Sequence, residues 1–302
     1  MHTESNMNAA GLANNAIHQP QMNAEQAIAA EVLAALDADQ LDLPTLPAMA
    51  VKILNLIDDP YASTDKIANL LAADPAISMH IIRAANSAAY RNGKRVDNLR
   101  EAITRLGYTM LRSMVMNITM FKLFQARNPL VNQQLRKLWE HSREVAANSY
   151  VLARQQKHLN PDQALLAGLV HDIGALPLYI FADRHHSRVD HKILEGLIRG
   201  CAATIGTRLL QSWNFPDELI DVIAGHENLQ RRNDSDLADY VDVVTMANLQ
   251  MQGTARFVAW NTVSAAERLG YSLEDCRNFL ANHMDRLVAV REMLGVNAPQ
   301  PA

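Results

Sequence analysis

Apolar residues recur at helical spacing along nearly the whole chain, and no stretch of useful length alternates apolar with polar as a half-buried strand would. A chain patterned this way must bury one stripe per helix against other helices. The helix starts are marked chemically. Asn23 with Gln26 forms a capping box, Ser63 can cap a second start, and Asp74-Pro75 and Asn160-Pro161 each place a capping oxygen before a first-turn proline. The capping oxygen accepts from an otherwise unpaired N–H of the first turn, and proline at the first helical position has no N–H to lose. Stripes follow these starts: Ile28, Val32 and Leu36; Val51, Leu54 and Ile57; Ile67, Leu70 and Leu71; Ile77, Ile81 and Ala85; Leu99, Ile103 and Leu106 before Gly107. Met110 to Leu123 is a long apolar run whose four methionines read as gap-filling core. The expected fold is all-α, roughly a dozen helices in two packed lobes.

Composition bounds the rest. With 302 residues and 49% hydrophobic content the chain can bury a sizeable core. A net charge of −4 argues against a general nucleic-acid binder, which would carry a basic face. Cys201 and Cys276 form no CxxC pair, so neither a disulfide framework nor a zinc ribbon is implied. No signal peptide is legible, and no apolar run is read as approaching transmembrane length. The expectation is a cytoplasmic protein with reduced thiols and no membrane partner. Residues 1–22, rich in Asn, Ala, Gln and His without periodicity, are expected to be disordered. A composition shift at Asn128-Pro129 divides an N-terminal lobe, 23–130, from a second helical lobe, 131–296, with a tail at 297–302. Gly200 and Gly206 are expected to permit close packing, and residues 257–294 read as two further helices. His185 and His186 read as exposed.

Polar groups sit where periodicity assigns core. The helix opened by Asn160-Pro161 runs to Leu169-Val170-His171-Asp172-Ile173-Gly174, with Gly174 expected as its terminator. His141 shares a face with Leu138 and Val145. His226 follows Leu219 by two turns, and Asn248 follows Val241 and Val244. A buried polar group costs free energy unless it is paired, and four helices here offer one inward. Imidazole and carboxylate are ordinary ligands for iron, manganese or zinc, so His141, His171, Asp172, His226 and Asn248 are the candidate metal set. The alternative is a metal-free hydrogen-bond network that fixes helix register. The two basic stretches, Arg91 to Arg95 and Arg231-Arg232, are not placed near this set by sequence.

Several motifs together resemble a known family. His141-Ser142, Val170-His171-Asp172-Ile173-Gly174 and Gly225-His226-Glu227 are similar to the HD metal-dependent phosphohydrolase superfamily, nearest its HD-GYP branch. Leu43-Pro44-Thr45-Leu46-Pro47, Asp74-Pro75-Ala76-Ile77-Ser78, Ala85-Asn86-Ser87-Ala88-Ala89-Tyr90, Ala102-Ile103-Thr104-Arg105-Leu106-Gly107 and Trp213-Asn214-Phe215-Pro216 resemble the HDOD domain. The resemblance implies an HD-like second lobe and a bacterial regulatory protein linked to two-component or cyclic-dinucleotide signalling, in a family whose members mostly lack demonstrated activity. Its implied partners are signalling proteins and its implied cofactor is one divalent ion. Active relatives carry a Lys where this chain has Ala175, a His where it has Ala202, a His-His pair where it has Gly225-His226, and an Asp where it has Asn248. The Gly-Tyr-Pro motif is absent. The reading that follows is a non-catalytic binding module, with a metal-dependent phosphohydrolase of nucleotides or phosphodiesters as the alternative. Residues 1–22 offer no apolar face, so deleting them is expected to leave the melting temperature unchanged; a large drop on thermal denaturation contradicts that reading.

Overall fold

The computed structural model describes residues 23–91, 93–233, 235–252 and 259–296. The segments expected to be disordered or tail, 1–22 and 297–302, lie outside the described residues. Among the described residues the regular structure is helical throughout. The N-terminal part holds α1 (Ala24–Asp37), α2 (Ala48–Asp58), α3 (Thr64–Leu71), α4 (Pro75–Asn86) and α5 (Leu99–Leu123). The middle holds α6 (Pro129–Ala153), α7 (Pro161–Val170), α8 (Ala175–Arg184), α9 (His191–Ser212), α10 (Asp217–Gly225) and α11 (Tyr240–Gln252). A 3-10 turn (Trp260–Thr262) leads to α12 (Ser264–Leu269), α13 (Leu273–Asn282) and α14 (Met284–Leu294), three helices where periodicity suggests two. The third is missed because only His283 separates α13 from α14, with no proline or glycine between them.

The caps form as their chemistry requires. Asn23 and Gln26 make the reciprocal capping box, at 2.8 and 3.2 Å. Asp74 accepts from the amides of Ala76 and Ile77, and Asn128 and Asn160 accept from the amides of Leu130 and Asp162. Asn128-Pro129 is thus also the start of α6. Gly107 has φ 75°, and α5 kinks there, which a side chain would strain.

One continuous core runs from α2 to α14, joining α2–α5 to the α6, α7 and α11 group. The first helix is the exception. Ile28, Val32 and Leu36 of α1 bury against Leu178 of α8 and Leu197, Cys201 and Ile205 of α9, in a separate small core. Although first in the chain, α1 therefore docks on the second lobe. The segment Pro161–Arg184 is long and apolar enough to cross a membrane, contrary to the expectation from sequence. Its most apolar 18-residue window is 78% buried inside the fold and the segment is interrupted by a turn at 171–174, so its apolarity belongs to the core.

Two glycines act differently from the sequence reading. Gly174 has φ −66° and does not terminate α7 in a left-handed turn; the chain passes through it directly into α8. Its need is space: a Cβ there would lie 1.9 Å from the Ala202 carbonyl oxygen of α9. Gly200 faces open space, while Gly206 packs on Ile223 and Gly174 as expected. His185 is half-buried, its ring 4.3 Å from that of Phe181.

Gly174→Ala is expected to lower stability by about 1–3 kcal/mol through overpacking against backbone. Gly200→Ala is expected to raise it by about 0.5–1 kcal/mol by removing helix-interior glycine. Urea denaturation of the two variants checks this, and equal effects contradict the packing argument.

Candidate metal centre

Three elements converge on one carboxylate. α6 carries His141, one turn beyond Leu138 and one before the buried Val145. His171 directly follows α7 and Asp172 lies in the turn beyond it. His226 closes α10. His171 and His226 are buried; His141 and Asp172 are about a quarter exposed, at 26% and 27% of their side chains. The Nε2 atoms of His171, His226 and His141 lie 3.1, 3.4 and 3.7 Å from Asp172 oxygens, with His226 facing Oδ1 and the other two Oδ2. The ligand atoms of His141, His171 and Asp172 all fall within 4.8 Å of one another.

The tautomers follow from the backbone. His171 Nδ1 lies 2.8 Å from the Gly168 carbonyl and His226 Nδ1 2.9 Å from the Val222 carbonyl. A carbonyl only accepts, so each Nδ1 carries the proton and donates. In a neutral ring that leaves the lone pair on Nε2. Both Nε2 atoms are buried and lack a hydrogen bond, though each faces a carboxylate oxygen. Two lone pairs aimed at an anion repel it unless a cation or a proton sits between them. Backbone-held Nδ1 with a free Nε2 is also how ligating histidines are oriented. The donor set therefore fits a divalent ion held by His171, Asp172 and His141, with His226 on the other carboxylate oxygen.

The charge states call for a positive charge beside Asp172, which a proton on His226 Nε2 or a bound ion would supply. Burial would raise the Asp172 carboxyl, but His171 and His226 outweigh it and hold it well below the usual carboxylate range. Burial, reinforced by His171, pushes His141 down and keeps it neutral. Burial would also lower His226, yet the Asp172 carboxylate beside it prevails and raises it.

Asn248 has a different place from the other four. Its side chain hydrogen-bonds the His141 ring, so it meets the centre through that ring. Sequence reading missed the carbonyls of Gly168 and Val222, although a histidine at a helix C-terminus is well placed to reach the last carbonyls. Arg231 lies beside Gly225, with its Cδ 3.3 Å from where a Cβ of residue 225 would sit. Its guanidinium is engaged by Asp239 and Asp242, at 2.6 and 3.0 Å. Ala175, where active relatives of the HD type carry Lys, is buried at the start of α8.

A model of the HDOD domain matches residues 43–229. A solved structure from Shewanella amazonensis SB2B, named as a candidate metal-dependent phosphohydrolase, is 29% identical, with a TM-score of 0.75 over 90% of this chain and 98% of that one. An HDOD domain protein from Geobacter sulfurreducens is 22% identical, covers 86% and 97% of the two chains, and shares the fold at a TM-score of 0.62. A protein from Treponema pallidum (strain Nichols) is 26% identical over 76% of this chain, which spans 45% of that relative's length.

Protein purified without chelator is expected to carry a divalent ion that His171→Ala and Asp172→Asn both remove. Asn248→Ala is expected to weaken its affinity by about 10–100-fold through the loosened His141 ring. Elemental analysis and competition with a chelating dye read both effects. Unchanged metal content in His171→Ala contradicts the assignment.

Proposed function

The chain belongs to the HDOD domain family, and from that premise we propose that it is a regulatory domain that binds a partner protein and turns over no phosphoester. The metal in this reading is structural: His141, His171, Asp172 and His226 tie α6, the α7–α8 turn and the end of α10 around one ion. The observation that carries the reading is Asn248. The late position that would supply a second carboxylate holds a neutral amide, and that amide is hydrogen-bonded to His141. Phosphoester cleavage asks for an activated water and for positive charge beside the phosphate, which a second metal or a lysine commonly supplies. Ala175 and Ala202 replace ligand or charge at two more positions of the family pattern. A bacterial signalling protein is the kind of partner this reading implies.

A second reading has one specific support. The Shewanella amazonensis SB2B structure is named as a candidate metal-dependent phosphohydrolase and matches nearly its whole length. A bound metal ion would supply Lewis acidity toward a phosphoryl oxygen. His226 and His141 would then position substrate or hold a proton at Nε2.

Turnover of cyclic dinucleotides and nucleoside phosphates, with added manganese or iron, separates the two. The expected result is a rate no higher than that of Asp172→Asn. Robust hydrolysis that disappears in both His171→Ala and Asp172→Asn overturns the binding-module reading.

A further inference from the structure

A second site lies away from the metal cluster. A cavity of about 780 Å³ opens where the end of α4, the end of α6 and the α13–α14 junction meet. Its volume falls in the range of small-molecule sites. Ala88, Ala89 and Ala289 give it small apolar walls, and Arg154 and Arg286 give it a positively charged rim. Asp285 is the one acidic residue of the lining. Among the described residues neither Arg154 nor Arg286 has a carboxylate within 4.0 Å, unlike Arg231, Arg268 and Arg291, which are each paired. Arg154 is steadied instead by Tyr150, with its guanidinium 3.4 Å from the hydroxyl and 6.0 Å from the ring centre. Gln155 Nε2 lies 3.1 Å from His283 Nε2, which joins the end of α6 to the far wall.

Two guanidinium forks without a carboxylate within 4.0 Å, at the rim of a hollow with small apolar walls, suit a ligand with an oxyanion at one end and an organic body at the other. Arginine grips phosphate through two parallel N–H donors and stacks on flat rings. We propose that this cavity binds a mononucleotide-sized organic phosphate, with its phosphate held by Arg154 and Arg286 and its body against the alanine walls. The position gives such a ligand a route to the rest of the fold. Arg154 also acts on Asp162 in the first turn of α7, and Asp162 accepts a hydrogen bond from the Tyr90 hydroxyl at the end of the α4 segment. The site thus borders the contact that joins the N-terminal helices to the helix preceding His171.

Isothermal titration of the full chain with adenosine 5′-monophosphate, adenosine and inorganic phosphate tests this. The nucleotide is expected to bind saturably and roughly ten-fold tighter than either part alone. Arg154→Gln and Arg286→Gln, whose side chains lie at the surface, are each expected to weaken it by roughly ten-fold. Ala88→Glu, which puts a carboxylate on the apolar wall, is expected to abolish binding. Melting temperature and metal content should stay unchanged in all three, which separates this site from the metal centre. Three results overturn the proposal: no nucleotide binding, inorganic phosphate binding as tightly as the nucleotide, or full affinity in both arginine variants.

Discussion

Backbone lies directly against backbone on both sides of the His171-Asp172 turn. At Gly168 a Cβ would fall 2.6 Å from the Ala146 Cα of α6, and at Gly174 one would fall 1.9 Å from the Ala202 carbonyl of α9. Neither neighbour is the end of a flexible side chain that could move aside. These two approaches press the turn between α6 and α9. The rest of the centre depends on that position, because His141 belongs to α6 and His226 to α10, which itself packs on α9. Gly206 continues the seam by meeting Gly174 and Ile223. The glycines of this segment are therefore steric requirements, unlike Gly107, which at φ 75° is needed for its backbone angle.

With the turn fixed, electrostatics sets its chemistry. Hydrogen bonds to the Gly168 and Val222 carbonyls orient two imidazoles so that their Nε2 atoms meet the Asp172 carboxylate. A buried site of this kind is stable only when a positive charge completes it. A neighbouring network satisfies the same rule with arginine. Asp242 is 1% exposed and accepts from Arg268 Nε at 2.8 Å and from Arg231 at 3.0 Å. Burial would raise its carboxyl, but Arg268 and Arg231 outweigh burial and hold it below the usual carboxylate range. The stability this confers is present above the ordinary carboxylate pKa and is lost only as pH falls through the lower folded value. The same network ties α11 to α12 and leaves Arg231 committed beside the metal centre.

The two lobes are not independent bodies. One apolar core runs through both, and polar contacts cross between them: Tyr90 on Asp162, Ser113 on the Asp162 carbonyl, and Asn117 on the Leu294 carbonyl of α14, which Arg143 of α6 meets from within the second lobe. α14 thus closes over α6 and the N-terminal helices together. Events at the α13–α14 junction and at α7 share these contacts, which puts the basic cavity and the metal turn on one connected frame.

The sequence alone determined the helical class, the main helix starts and the polar residues set on apolar helix faces. Those are local properties: a capping oxygen before proline, a 3.6-residue apolar period, and polar residues interrupting it at 141, 171, 226 and 248. Tertiary structure decided what those residues do together. It set Asn248 against His141, brought two imidazole Nε2 atoms to one carboxylate, engaged Arg231 with Asp239 and Asp242, and left Arg154 and Arg286 facing a common hollow. It also docked α1 on α8 and α9, against chain order, and buried an apolar stretch of membrane-spanning length. The reason is range. Helix period and capping are fixed within a turn or two of chain, whereas the partners that complete a buried charged group come from other helices and are known only once the helices have packed.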